Sequence, residues 1–518
     1  MVRKIILSAL RRGIEESSGT EHKNEETEKR RIAPQVVLAV QHFLSTMAMG
    51  MSMGHSAVLL PQLQEEDSEF VVDDETASWI ASVYMFISPF GCLVGGVLID
   101  KIGRRTGMII GGLIFITGWA VIAAAVSPLM LICGRILDGL AVGIITSASS
   151  VLFDEMAHPR LRVTVLCLAS SIMSTGMLII SLFGAFLHWR TAAGVAAVPT
   201  IIQLPILMFV VCETPTYLVK KQRYKDAEKS LRWLWGQHET KVKEELENLK
   251  SHLKENEEQR EKEDRHNIFF KLRKFVKQYT VPYILKPFLI IHVFNLLQIT
   301  GGMGLLTFYT VDFLNKVQGT DQVVNANVGT IIISAVKVVG LLLTAYLVYH
   351  IGRRPITIIS GIGSTIPMLA VAVILYVTYL QDGTTMPPGA IAWTNFILIV
   401  IFNAMNTLGF YSLTYTMIGE VLPSKVRGFL FGYISAVNYL GNGGLAKAYP
   451  SMLSAMGMHG LFFLFGATNA VCTLFVYLFL PETLNKTLEE IEDCFHQPNI
   501  MWISRKTPSE TNIVSERL

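Results

Sequence analysis

At 518 residues, 51% hydrophobic and only 16% charged, the chain is too apolar for an ordinary soluble enzyme of its size. Its mean hydropathy of +0.43 calls for a solvent less polar than water. The net charge of +3 excludes little, because the placement of the charges matters more than their sum.

Residues 1–35 form a charged tail with no apolar signal core or cleavage site, so the first span is expected to serve as the insertion signal. A helix needs about 20 mostly apolar residues to cross the hydrocarbon. Such stretches lie near 36–60, 79–99, 107–126, 131–153, 164–187 and 190–211, giving a first half over 36–212. The polar stretch 213–283 follows, mixing charges of both signs at helical spacing from Lys241 to Lys250. It reads as a connector of short, solvated helices, and the interleaved acids speak against nucleic-acid binding. Six more spans lie near 284–313, 327–349, 355–379, 390–418, 428–450 and 459–480, a second half over 284–480, before a tail over 481–518. The expected fold is an all-α membrane protein of twelve transmembrane helices in two six-helix halves.

Cys92, Cys133, Cys167, Cys212, Cys472 and Cys494 show no metal-ligand spacing and no paired arrangement in an outer loop. No nucleophile–base set occurs in the loops, so no catalytic residue, metal or cofactor is expected. The absence of a phosphate-binding glycine loop speaks against a primary pump.

Basic residues set the orientation. They crowd the N-terminal tail and the loops after span 2 (Lys101, Arg104, Arg105), span 4 (Arg160, Arg162), span 8 (Arg353, Arg354) and span 10 (Lys425, Arg427). The opposite side is nearly free of them, and its first loop carries Glu65, Glu66, Asp67, Glu69, Asp73, Asp74 and Glu75. Both termini and the connector are therefore expected in the cytoplasm.

The two halves echo each other. Gly103-Arg104-Arg105 follows span 2 and Gly352-Arg353-Arg354 follows span 8; Glu155 ends span 4 and Glu420 ends span 10. Arg162 and Arg427 lie at the same distance beyond those glutamates, and Glu213-Thr214 and Glu482-Thr483 close the two halves. Duplicated six-helix units imply a carrier whose substrate site is at the midplane. Arg104 or Arg105 with Glu155, and Arg353 or Arg354 with Glu420, are expected to pair at the cytoplasmic edge and bias its opening.

These marks resemble those of the sugar porters of the major facilitator superfamily, and within them the insect facilitated trehalose transporters. The resemblance rests on Gly95-Gly96-Val-Leu-Ile-Asp100-Lys-Ile-Gly-Arg104-Arg105 and on Gly134-Arg135 with Gly139 and Gly143. It extends to Glu420-Val-Leu-Pro423-Ser-Lys-Val-Arg427-Gly428 and to Pro481-Glu482-Thr483 with Lys486, Thr487, Glu489, Glu490 and Glu492. It covers about 36–495 and implies that Asp100 and Arg135 join the gating set.

The substrate path departs from the family pattern. Where sugar porters carry Gln-Gln-x-Ser-Gly-x-Asn in span 7, this chain has Gln298-Ile299-Thr300-Gly301-Gly302-Met303-Gly304. Pro-x-Pro-Trp in span 10 becomes Ser412-Leu413-Thr414-Tyr415, and span 11 keeps Asn438, followed by Tyr439. Ser170 stands for a Gln of span 5 and Leu152 for a Tyr of span 4; Tyr349-His350 replace the usual acidic–basic pair before Gly352. Lys337, in the middle of span 8, falls where the family places a sugar-contacting Asn. An ionisable residue at that depth faces a cavity or a partner, so Lys337 is expected to donate to an anionic or polyhydroxyl solute.

Sugar hydroxyls call for side chains that both donate and accept, with an aromatic face beside them. Gln298, Thr300, Lys337, Tyr415, Asn438 and Ser170 are the candidate substrate residues, with Asn406 a further amide. The family's proton symporters carry an Asp in span 1; residues 36–60 hold none, only His42 and His55. The expectation is a multi-pass carrier in the cell membrane for trehalose or a hexose, working by facilitative uniport. A relative carrying another organic solute, or a non-transporting sensor, stays open. The expected partners are a small-molecule solute and the lipid bilayer, with no nucleic acid.

Overall fold

In the computed structural model the described residues are 24–64, 72–236, 239–264, 281–318, 323–380, 388–422, 426–484, 490–491 and 495. The acidic run at Glu65, Glu66, Asp67 and Glu69 lies outside them, as do Lys486, Thr487, Glu489 and Glu492 of the C-terminal motif.

Every regular element among the described residues is a helix. The first six are α1 (Asn24–Leu63), α2 (Asp74–Ile102), α3 (Arg104–Ala123), α4 (Pro128–Met156), α5 (Pro159–Phe186) and α6 (Trp189–Pro205). A π-helical turn, Ile206–Val210, ends the sixth span just after Pro205, and then come α7 (Pro215–Lys220), α8 (Tyr224–Trp235) and α9 (Glu239–Asp264). The remaining helices are α10 (Pro282–Thr300), α11 (Met303–Phe308), α12 (Thr310–Gln318), α13 (Ala326–Ile351), α14 (Arg353–Leu380) and α15 (Pro388–Asn406). A second π-turn, Thr407–Tyr411, leads into α16 (Ser412–Val421) and α17 (Arg427–Phe479).

Eleven stretches among the described residues are long and apolar enough to cross a membrane. The last runs over Gly428–Phe479 and breaks at Gly457, whose φ of 66° lies outside the helical region, so it supplies two crossings. The total is twelve. Lipid-facing surface shows directly on α2, where Phe90, Leu93 and Val97 project along one side, 59%, 71% and 59% exposed.

Local chemistry explains the breaks. Ser127 caps α4, its hydroxyl accepting from the Met130 N–H at 3.4 Å, with Pro128 at the first helical position. The seventh span, expected as one helix over 284–313, is instead three pieces. It is interrupted at Gly301 and Gly302, the latter at φ 90°, and again at Tyr309. The connector also departs from a purely solvated one. Tyr217, Leu218, Val219 and Ala227 form a small core over which Leu246, Leu249 and Leu253 of α9 pack.

The chain forms two compact units: Met1–Ser52, Ile87–Gly176 and Arg190–Lys271 in one; Met53–Phe86, Met177–Trp189 and Leu272–Leu518 in the other. Within the first, α2 and α4 approach so closely at Gly91 and Gly143 that a Cβ on either would strike the other helix's backbone. The second unit is built on Phe294, Phe410, Leu413, Met417, Ile434 and Cys472, with Ile491 and Phe495 folded back onto them.

Candidate functional site

Three groups of polar side chains stand out, and the first is duplicated. In the first unit α2 turns directly into α3 at Gly103, whose φ of 102° no side chain tolerates well. The Glu213 carboxylate caps the new helix, accepting from the N–H groups of Arg104 at 2.8 Å and Arg105 at 3.1 Å. Arg104 donates to Glu155 at 2.8 and 3.2 Å and lies 3.6 Å from Asp100. Its guanidinium also covers the Tyr217 ring, 5.5 Å from the centroid. Arg105 instead donates to the carbonyls of Leu207 and Met208, at 2.6 and 2.5 Å, in the first π-turn.

The second unit repeats the scheme. Gly352, at φ 103°, joins α13 to α14, and Glu482 accepts from the N–H groups of Arg353 and Arg354, both at 3.1 Å. Arg353 donates to Glu420 at 2.9 Å, and Arg354 to the Tyr477 carbonyl at 2.7 Å. The sequence suggested the Arg–Glu pairs. It gave Glu213 and Glu482 no role beyond marking the ends of the halves, although the repeated Glu-Thr at both ends was the signal for one.

The other residues grouped with gating are placed differently. Arg162 contacts Asp154, at 3.6 Å and through that residue's carbonyl, rather than Glu155. Arg135 stands apart from the edge cluster: 20 residues before Glu155 on the same helix, it is about 30 Å away. It is fully buried, bridging the Ser52 carbonyl and Asp138, both at 3.1 Å, and Ser52 in turn donates to Asp138. The Arg427 side chain lies outside the described residues. His42 is held by Ser149 at 2.9 Å.

The second group is a row of amides in the second unit. Asn438 of α17 donates to Asn295 of α10 at 2.8 Å, and Asn442 donates to the Asn438 side-chain oxygen at 3.1 Å. Gln298 stands one turn along α10 from Asn295. Asn295 Nδ2 and Gln298 Oε1, both buried, take no hydrogen bond among the described residues. Gly304, where the family has Asn, leaves the space that Asn442 occupies. Sequence reasoning named Gln298 and Asn438 but missed Asn295 and Asn442, which share their helix faces at i−3 and i+4. Thr300 is not brought in: it is exposed and donates to the Leu296 and Leu297 carbonyls of its own helix. Ser170 is half-buried on α5, in the other unit, and the Tyr415 side chain lies outside the described residues. Asn406 is buried, its Oδ1 without a hydrogen bond among the described residues.

The third group surrounds Lys337, which is 3% exposed. Its ammonium sits 4.1 Å above the centroid of the Tyr411 ring and 3.5 Å from Thr307 Oγ1. Lys447, not singled out in the sequence, makes a similar contact nearer the start of α2. Its Nζ lies 4.4 Å over the Trp79 ring, 3.0 Å from Ser78 Oγ and 3.7 Å from Glu75.

The family model described as "Sugar (and other) transporter" matches residues 37–495. The chain belongs to that family. It is 29% identical to the "Facilitated trehalose transporter Tret1" of Apis mellifera ligustica over 92% of this chain and 91% of the relative. The transporter of the same name from Culex quinquefasciatus is also 29% identical, over 88% and 85%. That of Drosophila mojavensis is 29% identical as well, but this chain spans only 51% of its length. Among solved structures, the inward-open xylose transporter XylE of E. coli superposes with a TM-score of 0.67 at 18% identity, covering 88% of this chain and 98% of that one. The proton:xylose symporter XylE bound to 6-bromo-6-deoxy-D-glucose gives 0.66, covering 90% and 100%. The fold is thus the twelve-helix fold of the major facilitator superfamily, and this family member is a multi-pass membrane protein.

Proposed function

We propose that this sugar-transporter family member carries trehalose or a hexose across the cell membrane by alternating access, as a facilitative uniporter with both termini in the cytoplasm. The amide row of α10 and α17 carries the reading. A sugar hydroxyl donates and accepts at once, and Asn295 Nδ2 and Gln298 Oε1 offer one unspent donor and one unspent acceptor on adjacent turns. Asn438, held between Asn295 and Asn442, presents its amide in a fixed orientation. Ser170 and Tyr415 belong to the proposed path on the family resemblance alone; Thr300, bonded to its own helix, is its weakest member.

The Arg104–Glu155 and Arg353–Glu420 pairs are the proposed latches of the cytoplasmic mouth, with Arg105, Arg162 and Arg354 holding the adjoining helix ends and Arg427 grouped with them on the family resemblance alone. Facilitation rather than proton coupling is supported by a first span without a carboxylate, and Asp138, buried in α4, is neutralised by Arg135. The relatives named as facilitated transporters point the same way.

Uptake of radiolabelled trehalose and glucose into oocytes at verified surface expression tests the proposal. Saturable uptake unaffected by an imposed proton gradient is expected. Gln298→Ala or Asn438→Ala should weaken affinity about tenfold, the loss of one to two hydrogen bonds. Uptake that neither variant alters would sink the amide site, and no uptake of either sugar would favour a non-transporting sensor.

A further inference from the structure

Lys337 lies near the middle of a transmembrane helix, where an ammonium costs several kcal/mol unless its surroundings compensate it. The described surroundings compensate it incompletely. The Tyr411 ring takes one face of the ammonium at 4.1 Å, a cation–π contact that favours the charged form. Thr307 Oγ1, whose own proton goes to the Met303 carbonyl at 3.0 Å, turns a lone pair toward it at 3.5 Å. Met177 Sδ at 3.9 Å adds a weak acceptor. No carboxylate pairs with it among the described residues. An ammonium has three protons and a full charge, and this set leaves both underused.

Beside it is a cavity of about 20 Å³, room for one water-sized or halide-sized body. Its polar lining is hydroxyls and one amide: Ser181, Thr307, Thr310, Thr330, Ser334 and Asn403, with no acid among them. Ser334 stands on the same helix face as Lys337, three residues before it, and its hydroxyl lies 3.5 Å from that of Ser181. Ser181, Thr307, Thr310 and Thr330 give their hydroxyl protons to main-chain carbonyls, which leaves the Ser334 hydroxyl and the second Nδ2 proton of Asn403 to donate toward a negative charge. A cation, one hydroxyl and one amide with protons to give, and no competing acid around a space for one small group describe an anion site. A neutral sugar would satisfy the hydrogen bonds and leave the charge uncompensated.

We infer that the cavity beside Lys337 binds one small monovalent anionic group, either the carboxylate of a sugar acid or a free halide. The site rests on the proposed carrier function and narrows it: the solute is an acidic sugar, or a sugar carried with an anion bound beside it.

The test uses the full-length protein purified in detergent, its thermal unfolding followed at constant ionic strength. Sodium sulfate, divalent and too large for the cavity, is replaced stepwise by sodium chloride or by sodium glucuronate. A saturable rise of several degrees is expected for the wild type with at least one of the two, retained in Lys337→Arg and lost in Lys337→Gln. A chloride response identifies the free ion as the source; a glucuronate response without a chloride response identifies the carboxylate. Should Lys337→Gln fail to yield folded protein, Ser334→Leu decides, since it fills the cavity and leaves the charge in place; it too should lose the response. No rise with either anion, or an equal rise in wild type and variants, overturns the inference. Sugar uptake in oocytes is the separate readout. Uptake of trehalose or glucose without an anion response sinks the anion site and leaves the carrier; an anion response without uptake of any neutral or acidic sugar sinks the carrier and leaves the site.

Discussion

The two arginine–glutamate clusters are built alike and supported unequally. Each uses a glycine turn, a glutamate that caps the following helix and an arginine reaching a second glutamate. Around Arg104, however, there are two acids and an aromatic face, and the arginine and Glu155 side chains are only 9% and 17% exposed. Among the described residues Arg353 pairs with Glu420 alone, with exposures of 20% and 26%, and His350 stands in the last turn of α13 before it, its ring tilted against Tyr346. Glu420 compensates through its second oxygen, which accepts from Thr483 at 2.5 Å. The turn and the cap are the conserved mechanics of the repeat within this chain; the charges around them are adjustable. One ion pair is therefore the stronger.

Substitutions at the turns should break both clusters most severely. Gly103→Ala places a side chain in a glycine-only region and against the Glu213 carboxylate, costing about 3 kcal/mol; Gly352→Ala, with slightly more room at Glu482, should cost less. Thermal unfolding of the two variants ranks them, and an equal loss would mean the contact with the cap is irrelevant. Next in size is the ion pair itself. A double-mutant cycle of Arg104→Ala with Glu155→Ala should give a coupling of about 2 kcal/mol, against about 1 kcal/mol for Arg353→Ala with Glu420→Ala. Reversal of that order would remove the distinction drawn between the clusters.

Glu213→Gln and Glu482→Gln keep an acceptor oxygen and remove only the charge facing the helix N-terminus. Each should cost about 0.5–1 kcal/mol and grow smaller in high salt. Smallest is Tyr217→Phe, which loses one hydrogen bond to the Lys101 carbonyl, 2.9 Å, and has no counterpart among the described residues of the second cluster. Burial, with the Glu213 carboxylate beside it, holds the Tyr217 phenol above its usual range. The folded state therefore keeps a proton that the unfolded chain gives up first, and stability falls as pH rises past about 10. Alkaline unfolding of the wild type should be steeper than that of Tyr217→Phe.

The duplicated marks were legible because topology forces them. Helix ends need glycine, basic residues stay on one side, and a repeated fold repeats its punctuation. Span positions followed from hydropathy for the same reason. The interruptions did not, since Gly301 and Gly302 in an apolar run read as tolerated glycines until the backbone shows φ at 90°. Residues joined across helices were half visible. Lys337 announced itself by its depth, but its partner Tyr411 did not, because an apolar run says nothing about which face a π-turn will present. Asn295 was not legible from the family segment, which starts at Gln298, because the amide that completes the row stands one turn earlier. The connector's small core, with Leu246 and Leu249 packed on it, was hidden by the charges around it.

The π-turn Thr407–Tyr411 has a consequence for how this chain can vary. A π-turn carries one residue more than the α-helical turn it replaces, and each residue of an α-helix turns the chain by about 100°. Losing a single residue within 407–411 would return the turn to α-helical geometry and leave α16 in register, so the change would fall on the side chains that the turn itself presents, the Tyr411 ring over the Lys337 ammonium among them. Descendants of this gene can thus exchange what lies against that ammonium by an in-frame deletion of one codon, a heritable route that a comparison of aligned side chains alone would never detect.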